Sequence, residues 1–284
     1  MKHMIRLTNH TATDIMDIFH IADEIRQGKH ADILKGKSIV MFFPETSIRT
    51  RVTFEKGISL LGGQPILFPP EALDKKEALQ DVCGYLSLWA DALIVRHKDI
   101  RLLEKLAQHS DIPMINAMTD SNHPCEIIAD MYALSKRRKD FLKDSYLFCG
   151  ENGNIGLAWK EASLVMGFDL SQCCPKGWEM EHITAFDTIT EAIRGKDIIC
   201  TDSLPPDAPA AFKNCQVTRA VMEMANKGAL LNPCPPFSRG GEVSADALDS
   251  EYFVGYEFKK HLLEVQQAIL ILSLIHISEP TRRS

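Results

Sequence analysis

Short apolar runs alternate with helical patterns along most of this 284-residue chain. Runs typical of buried strands lie at 38–43, 64–68, 90–97, 113–117, 145–150, 197–202 and 229–234. The spacing of apolar residues predicts helices at 12–26, 51–61, 76–88, 100–109, 127–135, 157–166, 219–226 and 258–271. Because strands that alternate with helices form parallel sheets covered on both faces, the pattern predicts an α/β fold with parallel sheets.

The length predicts two domains, since one domain usually takes about 100–200 residues. The charged stretch SKRRKDFLKD, at 135–144, is the best candidate for the boundary. We expect a first domain over 1–138 and a second over 139–257. The closing helix, 258–271, is expected to return to the first domain.

The end of the chain has an unusual sequence. The segment LSLIHISEPTR, 272–282, resembles the translation of a transposase adapter used to prepare DNA for sequencing. The alternative is an apolar helix end followed by a polar tail. We expect residues 272–284 to be a non-native tail outside the fold, with the natural chain ending shortly after Ile271. A stop codon in place of this segment would then leave the thermal stability unchanged or higher.

Composition excludes several classes of partner. Lys and Arg total 32 against 38 Asp and Glu, a formal charge of −6, which argues against a nucleic-acid partner. The apolar run 268–277 is too short to span a bilayer, which needs about 20 residues. The N-terminus also lacks a secretory pattern, so no membrane partner is expected. Eight cysteines without a CxxC pair predict reduced thiols in a cytoplasmic protein.

The segment PETSIRTR, 44–51, lies between a predicted strand and a predicted helix. A helix N-terminus presents free N–H groups and a positive partial charge, which favour phosphate. Ser47 and Thr50 add hydroxyl groups, and Arg49 adds a guanidinium. Alternatively, Ser47 or Thr46 caps the helix and the arginines are solvated. This segment alone does not decide between the two.

Two further polar clusters follow predicted strands. Arg96 and His97 end the run 90–97, and the His-Pro-Cys-Glu segment 123–126 follows the run 113–117. Because the carboxyl ends of parallel strands meet at one edge of the sheet, all three clusters are expected to converge there. Their convergence favours an anion site, whereas a single histidine would more often be structural.

These residues resemble a known family. Ser-x-Arg-Thr-Arg at 47–51, Val-Arg-His at 95–97 and His-Pro-Cys at 123–125 are similar to the carbamoyl-phosphate motifs of aspartate and ornithine carbamoyltransferases, in the same order and spacing. The similarity extends from about Ile5 to Ile271. It implies two parallel α/β domains, a homotrimer with shared active sites, no metal and no cofactor. The implied substrates are carbamoyl phosphate and an amino-acid acceptor.

The resemblance also implies roles for individual residues. Ser47, Arg49 and Thr50 would bind the phosphate, and Arg51 is a further substrate-binding candidate. Thr50, Arg96 and His123 would be catalytic, because they would point at the carbonyl oxygen where negative charge develops. Lys76 matches a loop that reaches into the neighbouring subunit's site in the family, although a solvated lysine pair at 75–76 is the alternative.

Glu126 departs from the family pattern, which usually has Gln at this position. A carboxylate still accepts a hydrogen bond from the carbamoyl NH2 group, so Glu126 remains a substrate-binding candidate. It also places negative charge beside a phosphate dianion, which Arg49, Arg51 and Arg96 must offset.

The second half matches the family less regularly. Asn154, in the segment 150–156, is assigned to the amino-acid substrate, with a turn that caps a helix as the alternative. Asp202 would pair with the acceptor's amino group, although the Ser-Met-Gly tripeptide of ornithine enzymes is absent. The segment Asn-Pro-Cys-Pro, 232–235, replaces His-Cys-Leu-Pro or His-Pro-Leu-Pro. Cys234 would offer its backbone carbonyl and Arg239 a second anion contact.

The sequence therefore favours a carbamoyltransferase whose acceptor is L-ornithine, giving L-citrulline and phosphate. Asp202 suits a cationic acceptor, and the loop 201–207 has two Asp and no Arg. Aspartate or a diamine remains an open acceptor. The changes at Glu126 and Asn232 motivate a different alternative, a non-catalytic metabolite-binding paralogue. A nicotinamide-dependent dehydrogenase is set aside, because no GxGxxG follows any predicted strand.

Overall fold

The computed structural model describes residues 3–206 and 208–278. The chain divides into two compact units, the first comprising Met1–Tyr132 with His261–Ser284 and the second Ala133–Lys260. Each unit contains one parallel sheet with helices, which confirms the predicted fold class. Among the described residues, no helix combines the length and apolarity needed to cross a bilayer.

The first unit is built on a four-stranded parallel sheet in the order β2-β1-β3-β4. Its elements are α1 (Ala12–Arg26), β1 (Ser38–Phe42), α2 (Ile48–Leu60), β2 (Gln64–Phe68), α3 (Leu79–Leu86), β3 (Ala92–Arg96), α4 (Ile100–His109), β4 (Met114–Met118) and the first part of α5 (Pro124–Arg137), with 3-10 turns at Leu7–Asn9 and Pro70–Leu73. From Ala133 onward, α5 belongs to the second unit. Strands β1 and β3 are almost wholly buried, because both are central. Helix α1 starts with a capping box, in which the Thr11 side chain accepts from the backbone of Asp14 and the Asp14 carboxylate accepts from that of Thr11.

The second unit is built on a five-stranded parallel sheet in the order β7-β6-β5-β8-β9. Its elements are β5 (Ser145–Cys149), α6 (Asn154–Met166), β6 (Asp169–Cys173), β7 (Thr184–Phe186), α7 (Ile189–Ala192), β8 (Ile198–Thr201), α8 (Arg219–Met222), β9 (Leu230–Pro233), α9 (Ala245–Leu248) and α10 (Gly255–Lys259), with 3-10 turns at Phe141–Lys143 and Pro209–Cys215. On one side of the sheet, Tyr146, Trp159 and Phe168 pack as one aromatic group. All eight cysteines are reduced and buried.

Strands β6 and β7 were not among the runs expected from the sequence. Strand β6 reads DLSQC, and its polar residues hide the apolar pattern of a buried strand. The structure buries Gln172 completely and satisfies its carboxamide, which donates to the Gly150 and Trp178 carbonyl oxygens at 2.9 and 3.0 Å. Its oxygen accepts from the Met180 backbone at 2.6 Å. Because buried polar groups need such partners, only the folded neighbourhood makes this strand stable.

The last helix, α11 (Leu262–Ser278), packs against α1 and α2 in the first unit. This differs from the expectation that residues 272–284 lie outside the fold, because 272–278 are helical and Leu272 and Leu274 are buried. Apolar residues without a proline continue a helix whatever their origin. The remainder of the expected tail, 279–284, lies outside the described residues. Its resemblance to an adapter stays a prediction.

A truncation experiment tests whether residues 272–278 contribute to stability. A stop codon after Ile271 is expected to lower the melting temperature by about 5 °C or more, because two buried leucine side chains are lost. A stop codon after Ser278 serves as the control and is expected to leave the melting temperature unchanged. Equal melting temperatures for both truncations, measured by circular dichroism, would restore the view that the whole segment is a non-native tail.

Candidate active site

Strands β1, β3 and β4 are consecutive neighbours in the first sheet, so their carboxyl ends lie at one edge. A polar segment leaves each of these three ends, as the sequence predicts. Ligands of parallel α/β sheets bind outside this edge. The three segments carry Ser47 to Thr50, Arg96 and His123 respectively.

Ser47 occupies the N-cap position of α2, but its side chain makes no capping bond to the helix. Its Oγ accepts instead from Nη1 of Arg96 at 2.9 Å. The N-cap interpretation of Ser47 is therefore wrong for its side chain. Ser47 and Thr50 are both buried, whereas Arg49 between them is exposed. The Ser47 side chain therefore does not occupy the backbone N–H groups in the first turn of α2.

The surroundings of Arg96 shift its pKa. Burial and the nearby positive charge of Arg49 lower its pKa, and the negative charge of Glu126 acts in the opposite direction. Arg96 therefore interacts electrostatically with both Arg49 and Glu126, although the three residues follow three different strand ends. Arg96 stays charged, because a guanidinium loses its proton only far above neutral pH. The arrangement can hold an anion and polarise a carbonyl oxygen.

A buried hydrogen-bond network shapes the turn that precedes His123. Asn116 Nδ2 donates to the Asn122 side-chain oxygen at 2.6 Å, and Thr119 Oγ1 donates to the same oxygen at 3.1 Å. Asn122 Nδ2 in turn donates to the Ile5 carbonyl oxygen at 3.2 Å. All three side chains are completely buried, and His123 itself is 5% exposed. This network is not among the features predicted from the sequence, although two asparagines and a threonine near a strand end were a usable signal.

A cavity of about 360 Å³ adjoins Arg96 at this edge. His97 lines it and is held by two bonds: its Nδ1 accepts from the Asp99 backbone at 3.1 Å, so Nε2 donates to Asp74 Oδ1, also at 3.1 Å. Asp74 precedes the exposed Lys76, so His97 anchors the start of that segment. His97 therefore has a structural role in this unit.

Arg51 pairs with a neighbour on its own helix. Its Nε donates to Oε1 of Glu55, one turn along α2, at 2.8 Å. Both side chains are half-buried. Lys76 is exposed in the segment 74–78. Contact of either residue with a substrate stays a prediction.

The second unit contains an acidic group at the end of β8. Asp202 is partly buried, and Oδ1 accepts from the Ser203 backbone at 2.8 Å. Burial is the main cause that raises its pKa to about 6, and the negative charges of Glu151 and Glu242 add to it. Lys259 acts in the opposite direction. A partly buried carboxylate with acidic neighbours favours a cationic ligand.

The other second-unit candidates lie on separate elements. Asn154 is the first residue of α6. Cys234 is buried after β9, and its backbone N–H donates to the Thr201 carbonyl oxygen at 2.9 Å, which holds this segment beside β8. Arg239 is exposed, and its Nη1 donates to Asp249 at 2.8 Å. The structure thus connects Cys234 with the Asp202 strand and gives Arg239 an acidic partner on the surface.

Gly156, in the first turn of α6, permits the close approach of the 150–154 segment. A Cβ atom there would lie 2.7 Å from Cε1 of Phe148 and 2.9 Å from the carbonyl oxygen of Glu151. We expect Gly156→Ala to lower the free energy of unfolding by about 2 kcal/mol, because neither neighbour has room to move. Gly84→Ala, at an exposed position of α3 with open space around it, is the matched control and should raise stability by up to about 1 kcal/mol. Urea unfolding of both variants measures the difference, and equal effects would contradict the prediction.

Within the described residues, no group of three or more His, Cys, Asp or Glu side chains could hold a metal ion.

Comparison with known proteins identifies both units. Residues 2–136 match the model of the aspartate/ornithine carbamoyltransferase carbamoyl-P binding domain, and residues 144–273 match that of the Asp/Orn binding domain. The chain is 30% identical to the ornithine carbamoyltransferases of Hydrogenovibrio crunogenus and Halorhodospira halophila, over 95% of this chain and 97% and 98% of theirs. The structure of ornithine carbamoyltransferase from Pyrococcus furiosus is similar with a TM-score of 0.90 and 26% identity, covering 96% of this chain and 97% of that one.

The matches cover nearly the whole chain, and the first of them includes the residues gathered at the edge of the first sheet. The fold, the order of the three polar segments and the family models agree. The chain belongs to the aspartate/ornithine carbamoyltransferase family.

Proposed function

We propose that this protein transfers the carbamoyl group of carbamoyl phosphate to the δ-amine of L-ornithine, giving L-citrulline and phosphate. The observation that carries the proposal is the bond from Arg96 to Ser47 at the uncapped start of α2. It places a guanidinium, a hydroxyl group and free backbone N–H groups together. This combination suits a ligand that has both a phosphate and a carbonyl oxygen.

In the proposed complex, the phosphate binds at the start of α2, with Ser47, Arg49 and Thr50 as its side-chain partners. Arg96 and His123 donate to the carbonyl oxygen, where negative charge develops when the amine attacks. Each such donor contributes on the order of 3 kcal/mol to the stability of the transition state. Because the donors are held in place before the substrate arrives, little reorganisation is needed.

The reaction needs no redox step. The neutral amine attacks the carbonyl carbon, a C–N bond forms, and the carbonyl electrons move onto the oxygen beside Arg96. The electrons then return, the C–O bond to phosphate breaks, and the phosphate leaves with that electron pair. The amine proton passes to the departing phosphate, which is the nearest base formed in the reaction.

Two observations support ornithine as the acceptor. The relatives at 30% identity are named ornithine carbamoyltransferases. The second unit also surrounds Asp202 with the negative charges of Glu151 and Glu242, which favours a cationic amino acid over aspartate. In this proposal Asp202 pairs with the acceptor's ammonium group, while Asn154 and the backbone carbonyl of Cys234 contact the rest of the molecule.

The proposal extends to assembly and location. The enzyme acts as a homotrimer in which Lys76 of one subunit reaches the site of its neighbour, and the exposed position of Lys76 suits this role. Eight reduced, buried cysteines suit the reducing cytoplasm. Light scattering tests the assembly: a mass three times that of the chain supports it, and a monomer contradicts it.

Colorimetric detection of citrulline tests the activity. Carbamoyl phosphate is incubated with L-ornithine, L-aspartate, putrescine or N-acylated ornithines, and each ureido product is measured. Turnover with ornithine that is abolished by Arg49→Ala supports the proposal. Turnover with another amine alone would retain carbamoyl transfer and replace the acceptor. Binding of carbamoyl phosphate without any turnover would favour the non-catalytic paralogue that Glu126 and Asn232 motivate.

A further inference from the structure

The proposed anion site of the first unit includes an acidic side chain, Glu126. Glu126 lies in the first turn of α5, three residues after His123, and is only 5% exposed. The end of β4 leads to it, next to the end of β3 that carries Arg96. A carboxylate is thus built into the edge at which the proposed phosphate group binds.

Two features of its surroundings favour a carboxylate at position 126. The positive end of α5 favours a carboxylate in the first turn. The charges of Glu126 and Arg96 act on each other, and Arg49 supplies a second positive charge. Titratable groups near Glu126 include Arg49 and Arg96 from the other strand ends, and His123 and Cys125 from its own segment. Burial and the charge of Glu126 raise the pKa of the Cys125 thiol, so Cys125 stays uncharged.

Binding of a phosphate dianion adds two negative charges to this region. With Glu126 ionised, the two arginines face three negative charges, one from the protein and two from the phosphate. The extra charge is buried, so water screens the repulsion poorly. Protonation removes the repulsion and leaves a neutral carboxyl group. That group offers one hydroxyl donor and one carbonyl acceptor in the shape of the glutamine carboxamide, which has one donor more.

We propose that Glu126 takes up a proton from solvent when carbamoyl phosphate binds, and that its carbonyl oxygen then accepts from the carbamoyl NH2 group. The inference rests on the proposed function, since it concerns the same site. The proton remains on Glu126 through the transfer and returns to solvent after phosphate leaves. Because binding requires this proton uptake, the affinity of the protein for the dianion decreases as the pH rises.

Isothermal titration calorimetry with sulfate tests this coupling. Sulfate stays a dianion between about pH 5 and 9, so its own titration does not interfere. For the intact protein, we expect the dissociation constant to rise about tenfold or more between pH 5.5 and pH 8. Glu126→Gln should bind sulfate about tenfold more tightly than the wild type at pH 8, and about equally at pH 5.5. His123 contributes to the pH dependence of both proteins, so the difference between them reports Glu126.

A matched control is Glu55→Gln, which removes a carboxylate from α2 that pairs with Arg51 on the partly exposed side of the helix. It should keep the wild-type pH dependence. Repeating the titrations in buffers of different ionisation enthalpy should also show proton uptake that is reduced in Glu126→Gln.

Equal pH dependence in the wild type and Glu126→Gln would overturn this inference alone, because anion binding itself would still be present. Failure of both proteins to bind sulfate and carbamoyl phosphate would overturn the proposed function together with the inference. The citrulline assay is independent of either result, so the two failures are distinguishable.

Discussion

Arg96→Ala is expected to lower kcat for carbamoyl transfer by about a hundredfold to a thousandfold. The proposed role of this guanidinium is to stabilise the charge on the carbonyl oxygen, and loss of one such donor costs about 3 kcal/mol or more in the transition state. The substitution also leaves Ser47 Oγ without the donor that holds it at the start of α2. The steady-state rate of citrulline formation measures the effect.

Two comparison variants separate catalysis from folding. Arg101→Ala removes an arginine whose side chain is 82% exposed at the start of α4, and it should leave kcat unchanged. Arg96→Lys keeps the charge but loses the planar fork, so we expect partial recovery only. A folded Arg96→Ala protein with kcat within tenfold of the wild type would remove Arg96 from the proposed mechanism.

Asp202→Asn is expected to raise KM for ornithine about a hundredfold. The variant keeps the shape of the side chain but removes the charge that pairs with the acceptor's ammonium group. Loss of a charge-assisted bond of this kind costs roughly 2–3 kcal/mol. Asp249→Asn, which removes the exposed partner of Arg239, is the control and should leave KM for ornithine unchanged. Equal KM values for wild type and Asp202→Asn would exclude Asp202 from the acceptor site.

The raised pKa of Asp202 also predicts a pH dependence. Because the pKa is about 6, kcat/KM for ornithine should rise with pH through this region as the carboxyl group ionises. Asp202→Asn should lose this part of the profile. A rise near pH 6 that persists in the variant would assign it to another group.

The stability of the folded protein should fall with rising pH, in the opposite direction to kcat/KM. A carboxyl group whose pKa is higher in the folded than in the unfolded protein favours folding in its protonated form, so stability is lost as pH rises through about 6. Asp202→Asn removes the ionised form, and we expect the free energy of unfolding at pH 8 to rise by about 1–2 kcal/mol. Urea unfolding at pH 4 and pH 8 measures this. A variant less stable than the wild type at pH 8 would contradict the prediction.

Much of the fold was predictable from local patterns. Helices α1 and α4 and strand β2 have the predicted bounds, because the apolar spacing in each agrees with its place in the fold. The convergence of Ser47, Arg96 and His123 at one sheet edge was also predictable, since parallel topology brings strand ends together.

Other features depend on neighbours that no local pattern names. Strand β6 is polar in sequence and buried in the structure, because the carboxamide of Gln172 is satisfied by three backbone groups. The network of Asn116, Thr119 and Asn122 was likewise not predicted, because these three side chains come together only when the turn folds. The helical 272–278 segment differs from expectation because apolar side chains bury themselves whatever their origin.

The order of the three motifs along the chain already specified the α/β class, the family and an anion site in the first half. Local periodicity and residue chemistry were sufficient for this. The tertiary structure alone determined which side chains contact one another. The Ser47 hydroxyl pairs with a guanidinium 49 positions away instead of capping its own helix, and Asp202 acquires its raised pKa from burial and from Glu151 and Glu242 on other segments. Both outcomes depend on distance and desolvation, which arise only when residues far apart in sequence become neighbours in space.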